Sequence, residues 1–421
     1  MSFDAEALRS EVRDWLAANW DPESTLAEWR EKLSQSGWGC PTWPERWCGR
    51  GLPASAAPVV AQEFARIGAV RPPDGVGMHL VAPTLLEHAT DELKARFIPG
   101  TVAGQITWCQ LFSEPSAGSD LAGLTTRAAR DGDDWIVNGQ KVWNTSAHHA
   151  DYGILLARTD PDVPKHQGLT YLVLPMNQPG VEVRPLRQMN GYASFNEVFM
   201  SDARIPADWV VGQTGGGWRV ALTTLAHERR LAPASEAVRD DAGRVARQAH
   251  EEFMRLREPY KWYPQRAGRV DLAIERARAH PDGGVVRREV AKLVGLASAA
   301  RWTSERAAAA LAVGRPPGPE GSLGKLSSSN IARAALQTHA LMTGPEVLLS
   351  GADAPADGLI AETLLSVPAV SIAGGTDEIQ KNLLGERILG LPKEPSVDAA
   401  IPFSQVRKSG MLPDEAKPAK N

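Results

Sequence analysis

The sequence predicts an α+β multidomain chain, with helices first, then a small antiparallel β domain, then helices again. Three observations predict this. Apolar residues recur at helical spacing over roughly the first hundred residues. Short alternating strands separated by turn residues fill about 105 to 212. The helical period then returns after "VGQTGGGW". The boundaries that follow are 1–105, 106–212 and 213–395, with a Pro-, Lys- and Ser-rich tail over 396–421 expected to be loose. The chain has 421 residues, 43% of them apolar, which is enough for a sizeable core.

In the N-terminal part, Leu8, Val12, Trp15 and Leu16 share one helical face, and so do Val60, Phe64 and Ile67. Gly68 is placed to cap the second of these helices. Between them, "SGWGCPTWPERWCGRGLP" reads as a structured loop, because its tryptophans would sit poorly in solvent. A further helix pair is expected over Ala82 to Phe97, punctuated by Pro99–Gly100. In the β part, "DGDDWIVNGQKVWNTS" alternates around Asn138–Gly139, a two-residue hairpin signal. "GILLART", "LTYLVLP", "VEVRPL" and "NEVFM" supply further strands of a barrel or sandwich. In the last part, Trp218, Leu222, Leu225 and Arg229 recur at 4, 3 and 4, and "GRPPGPEG" breaks two long helices.

Several classes are disfavoured. The net charge of -4 is spread along the chain, and no basic stripe suggests nucleic acid. No run resembles a signal peptide or a membrane span. Cys40, Cys48 and Cys109 suggest neither a disulfide framework nor a CxxC metal site, so a reducing cytoplasm is the simple expectation. Cys109, beside Trp108, reads as packing.

Five ordered segments carry a resemblance. They are "LFSEPSAGSDLAGLTTRA", "NGQKVWNTSAHHADYGILLART", "EVFMSDARIPADWVVG", "GGGWRVALTTL" and "AGGTDEIQKNLLGERILG". Together they resemble the flavin-dependent acyl-CoA dehydrogenases over about residues 5 to 395. The resemblance implies a helical N-terminal domain, a β-barrel and a C-terminal four-helix bundle. It also implies FAD, an acyl-CoA substrate, and electron-transferring flavoprotein as acceptor. By the same resemblance, Gln110, Phe112, Ser113, Ser119, Trp143 and Thr145 line the flavin, and Gly375, Thr376 and Glu378 meet its adenine side. Ser119 also lies by the thioester. Read alone, Trp143 is more simply a tryptophan in a strand core; an apolar body with a polar handle suits either role.

Thioester dehydrogenation needs a carboxylate base for the α-proton and an acceptor for the β-hydride. Many members carry the base in a "Y-E-G-T" motif, but the corresponding stretch here is "IAGGT", with Gly374 in place of the acid. Another branch places its glutamate on the first helix of the last domain, before an arginine. There the chain reads "TLAHERR", which makes Glu228 the expected base and Arg229 the neighbour that holds the CoA end. Ala221, Thr224, Leu225 and Glu228 share a face, and the small residues are expected to leave room for a ligand. A solvated surface glutamate paired with nearby arginines is the plainer reading of "HERR". Asp377 and Glu378, which open the last helix, are weaker candidates for the base.

The segments through which common members share a flavin between subunits, "R-x-x-F-G" and "Q-x-x-G-G", are not matched here. A homo-oligomer (dimer or tetramer) and a heterotetramer with a related subunit are therefore both expected forms. The alternatives to the dehydrogenase reading are an oxidase using oxygen and a non-catalytic subunit of a mixed assembly.

Overall fold

The computed structural model describes residues 4–228, 243–280, 284–315, 318–393, 395 and 398–406. The N-terminal part holds α1 (Ala5–Asn19), α2 (Leu26–Ser36), α3 (Ala56–Arg66), α4 (Ala82–His88) and α5 (Asp91–Val102), with a π-helical turn (Gly77–Val81) leading into α4. Asp4 caps α1 by accepting from the Glu6 and Ala7 amides, and Thr25 with Glu28 forms a reciprocal capping box on α2. Gly68 closes α3 as the sequence suggests, with the Ala69 amide reaching back to the Phe64 carbonyl. The tryptophan-rich loop is ordered around buried Trp38 and Trp47.

Leu8, Val12, Leu16, Trp29, Leu33 and Phe64 form the first core. Next to it, Glu63 accepts hydrogen bonds from Arg13 (2.8 and 3.0 Å), Arg66 (3.0 Å) and Arg9 (3.0 Å), with its side chain 3% exposed. The Arg13 bonds above all, helped by Arg66 and Arg9, outweigh burial and hold its pKa at about 2, below the ordinary 4.5. Because the folded pKa lies below the unfolded one, this stabilisation is whole above pH 4.5 and is lost as pH falls toward about 2. Melting scans across that window should show the Tm of the wild type falling more steeply than that of Glu63→Gln.

The central part is one curled seven-stranded sheet: β1 (Trp108–Leu111), β2 (Arg127–Asp131), β3 (Asp134–Thr145), β4 (Tyr152–Arg158), β5 (Leu169–Pro175), β6 (Val181–Leu186) and β7 (Phe195–Pro206). Its order is β1-β4-β2-β3-β7-β6, with β5 on β4. The pairing is antiparallel apart from β4, which runs parallel to β1 and meets β2 in parallel at one residue pair. β4 and β5 are buried almost throughout, as their continuous apolar runs require.

The hairpin turn is not at Asn138–Gly139. β2 and β3 turn at Gly132–Asp133, and Asn138–Gly139 lies inside β3. The strand shifts register against β7 there, between Val137 and Gly139. A Cβ at Gly139 would lie 2.4 Å from Thr126 Oγ1, so glycine permits a close crossing rather than a turn. α5 likewise runs through Pro99 and Gly100 instead of stopping. Phe97, Ile98 and Val102 are fully buried on either side, and Phe97 packs edge-on against Trp108, Tyr152 and Trp209. That packing outweighs the hydrogen bond that proline cannot donate.

The remaining helices are α6 (Gly217–Glu228), α7 (Arg244–Arg257), α8 (Tyr263–Arg266), α9 (Val270–Ala279), α10 (Val285–Ala312), α11 (Glu320–Thr343), α12 (Leu359–Ser366) and α13 (Asp377–Arg387). α7 packs on the N-terminal core through Val245, Ala246 and Ala249, and Glu252 accepts from the two terminal Arg30 guanidinium nitrogens at 2.6 and 2.7 Å. α10 and α11 flank the "GRPPGPEG" break and close on a small core of Ala273, Leu293, Ala334 and Ala335. Trp302, Leu348, Ile372, Leu389 and Leu391 of this part stay exposed.

The tail is not loose where it is described. Phe403 lies 3.4 Å from the Arg158 guanidinium, its amide bonds the Val163 carbonyl, and Asp398 pairs with Lys165 at 2.7 Å. Composition gave no sign of these aromatic and ionic anchors. The rest of the tail, 396–397 and 407–421, lies outside the described residues.

Candidate functional site

Two clusters collect the residues singled out above. The first is the edge where β1 meets β3. The Asn144 Nδ2 donates to the Gln110 carbonyl (2.7 Å), Lys141 Nζ to the Phe112 carbonyl (2.9 Å), and the Val142 amide to the Ser113 carbonyl (2.9 Å). Lys141 is fully buried and also bonds Glu114 at 2.9 Å. Burial alone would push the Glu114 pKa up. The Lys141 ammonium and the Thr126 and Thr125 hydrogen bonds outweigh that and hold it at about 2. The sequence pattern assigns this pair no role.

Trp143 is not in the core. β3 shifts register again between Lys141 and Asn144, Trp143 takes φ +64, and its side chain is 56% exposed. A bulky residue in the left-handed region is rare and persists only where its surroundings hold it. Here Lys141, Val142 and Asn144 are all tied to the β1 edge, so the bulge turns the indole outward. Phe195 meets it edge-on at 5.7 Å, and Trp262 continues the aromatic row at 6.2 Å.

Ser113 and Thr145 are partly exposed along this edge, and Ser119 is exposed in the following loop. The Phe112 ring is buried against Tyr171, so only its backbone can meet a ligand at the edge. Asn144 Oδ1 is buried and finds no hydrogen-bond partner among the described residues. An outward indole beside polar groups and an unfilled acceptor fits the edge of a flat heterocycle such as a flavin ring.

The second cluster joins segments about 150 residues apart in sequence. A Cβ built on Gly374 would lie 3.8 Å from Glu228 Oε1 and 4.0 Å from Lys325 Cε. The candidate base on α6 therefore addresses the place where a side chain at 374 would begin. The other two acids are differently placed. Asp377 is buried, accepts from Ser329 (2.7 Å) and Arg333 (2.8 Å), and pairs with Lys325 (3.7 Å). Burial would raise its pKa, but the Ser329 and Arg333 bonds outweigh it, and the shift is downward. It anchors the Gly374–Gly375 loop to α11. Glu378 is 76% exposed. Thr376 caps α13 by accepting from the Ile379 amide, and Gly375 packs against the Gln380 side chain. Arg229 lies outside the described residues.

The expected room beside the base is absent on α6 itself. Ala221 and Thr224 are fully buried, because their small side chains let the helix sit close on β5 and α4. Leu222, one of the residues in the helical period, is 40% exposed. What Glu228 faces at 374 is a position without a side chain.

Among the described residues, no group of three His, Cys, Asp or Glu could hold a metal ion, and no helix is long and apolar enough to cross a membrane.

Comparison with known proteins agrees with this architecture. Family models match at residues 2–105 (acyl-CoA dehydrogenase, N-terminal domain), 109–203 (middle domain) and 265–389 (C-terminal domain). The chain is 34% identical over 417 residues to acyl-CoA dehydrogenase IpdE1 of Mycobacterium tuberculosis, covering 93% of this chain and 99% of that protein. Among solved structures it is similar to the ChsE4-ChsE5 complex of the same organism, with TM-score 0.63 and 27% identity over 94% of this chain and 100% of that one. It is also similar to the Tcur3481-Tcur3483 steroid acyl-CoA dehydrogenase, with TM-score 0.64 and 26% identity over 93% and 98%. The chain belongs to the acyl-CoA dehydrogenase family of flavin-dependent oxidoreductases.

Proposed function

We propose that this chain catalyses FAD-dependent α,β-dehydrogenation of an acyl-CoA thioester to the trans-2-enoyl-CoA, with Glu228 as the base. The observation that carries the reading is the 3.8 Å approach of Glu228 Oε1 to the Gly374 position. A carboxylate from α6 reaches the place that other members fill from the loop, and glycine keeps that place open.

Bound FAD would supply a ring that accepts the β-hydrogen as hydride. The protein's own residues do the rest. Ser113, Thr145 and the backbone of Gln110 to Ser113 would hydrogen-bond the ring, and Trp143 would pack on it. Gly375, Thr376 and Glu378 would hold its adenine part. Ser119 and Arg229 steady the thioester. Glu228 would remove the α-proton and hold it.

The likeness to a steroid acyl-CoA dehydrogenase supports a bulky, sterol-derived acyl group. The exposed Trp302, Leu348, Ile372, Leu389 and Leu391 support assembly with a second subunit. Likeness to a complex named for two different chains favours an unlike one. A cytoplasmic setting with electron-transferring flavoprotein as acceptor completes the reading.

The test is anaerobic titration of the flavin-loaded protein with CoA thioesters from short acyl to steroid fragments. Bleaching of the yellow flavin band by a bulky thioester is the expected result. No bleaching by any thioester, alone or with a co-expressed partner chain, would leave the non-catalytic reading. Rapid oxygen uptake on admitting air would favour the oxidase.

A further inference from the structure

The interface beneath α6 holds three buried hydroxyls that the proposed chemistry does not use. Tyr171 on β5 is fully buried, and its hydroxyl lies 3.0 Å from Thr224 Oγ1 on α6. Thr224 Oγ1 lies 3.0 Å from Thr84 Oγ1 on α4. Thr84 Oγ1 donates to the Leu80 carbonyl, in the π-helical turn, at 2.7 Å. Each hydroxyl has one proton to give. Thr84 gives its proton to Leu80, so it can only accept from Thr224. Thr224 then gives its proton to Thr84 at 3.0 Å rather than to the Val220 carbonyl at 3.3 Å, and accepts from Tyr171. The bonds therefore run one way, from sheet to α6 to α4 to π turn. Next to this chain, Thr223 Oγ1 meets His88 Nε2 of α4 at 2.8 Å.

An apolar interface made by Val220, Ala221 and their neighbours would allow α6 to roll or slide with little penalty. A directed hydrogen-bond chain in a dry site does not, because any displacement leaves a buried hydroxyl unpaired. Thr224 stands one turn before Glu228, on the same face. The far end of the chain is a π-helical turn, a feature that often accompanies functional sites.

We propose that the Tyr171–Thr224–Thr84 hydroxyl chain is a positioning device that fixes the roll and axial register of α6, and so aims the Glu228 carboxylate at the point opposite Gly374. This rests on Glu228 being the base. The three residues are positioning residues and touch neither substrate nor cofactor.

The test compares Thr224→Val, which keeps the shape and removes the hydroxyl, with Thr224→Ser, which keeps the hydroxyl. A Tyr171→Phe/Thr224→Val double variant leaves no unpaired phenol and guards against a folding failure. We expect Thr224→Val and the double variant to lose about 10–100-fold in kcat, as for a misplacement of about 1 Å. KM should stay within about 3-fold, because thioester binding does not depend on the aim of the base. The pH profile of kcat should shift with it, and Thr224→Ser should restore both. In the protein without thioester, hydrogen exchange in the last turn of α6 should speed up in the valine variants while the β-sheet amides stay protected.

If Glu228→Gln abolishes turnover yet Thr224→Val and the double variant keep the wild-type kcat and pH profile, the positioning role is wrong and the base assignment stands. Loss in Thr224→Ser equal to that in Thr224→Val would assign the effect to packing and overturn the proposal. If Glu228→Gln keeps full turnover, the base assignment itself has failed.

Discussion

Glu228→Gln is expected to lose about 10²–10⁴-fold in kcat, the usual worth of a positioned general base, while thioester affinity and Tm stay close to the wild type. The substitution keeps the shape of the side chain and removes only its capacity to take a proton. Its neighbours argue that nothing nearby would replace it. Asp377 is sealed by Ser329, Arg333 and Lys325, and is tied to holding the Gly374–Gly375 loop on α11. Glu378 is 76% exposed. Steady-state turnover with an artificial electron acceptor, with binding measured separately, checks this.

Lys141→Met is expected to destabilise the chain by about 3–5 kcal/mol, the range for removing one partner of a buried ion pair. Lys141 is fully buried, and the Glu114 side chain is 3% exposed. Without the ammonium, Glu114 keeps bonds from the Thr125 amide (2.7 Å), the Thr125 hydroxyl (2.8 Å) and the Thr126 amide (2.8 Å), but it loses its direct ion-pair partner and keeps only the more distant charge of Arg158. The damage should also reach the proposed flavin edge, because Lys141 Nζ fixes the Phe112 carbonyl and the bulge that turns Trp143 outward. Denaturant unfolding should show the stability loss, and the flavin content of the purified variant should fall with it. Wild-type stability with full flavin content would contradict this account of the pair.

Much of the fold was legible because local chemistry and tertiary packing agree. The α1 face, the Gly68 cap and the continuous apolar runs of β4 and β5 are such cases. Where they disagree, packing prevailed. Asn138–Gly139 has the composition of a turn, but Thr126 needed glycine for a close crossing, so the strand continued. Pro99 should end a helix, yet burial on both sides carries α5 onward. Leu222 fits the helical period but faces outward, because the small face of α6 packs more closely on the sheet. Glu228 stands out as the candidate base only through the family pattern and the missing acid at 374. The approach of the two segments across about 150 residues is a property of the fold, and no local window contains it. The left-handed turn at Trp143 was equally hidden, since it depends on three separate bonds from β3 to the β1 edge.

The most direct measurement is exchange of the α-proton in deuterated water, using a bound CoA thioester whose β-carbon carries no hydrogen. No hydride can leave such a ligand, so the signal reports the base without any electron acceptor. The account predicts that the wild-type protein incorporates deuterium at the α-carbon and that Glu228→Gln does so about 10²–10⁴-fold more slowly at full occupancy. Equal incorporation by the two proteins would contradict it and place the base on another residue.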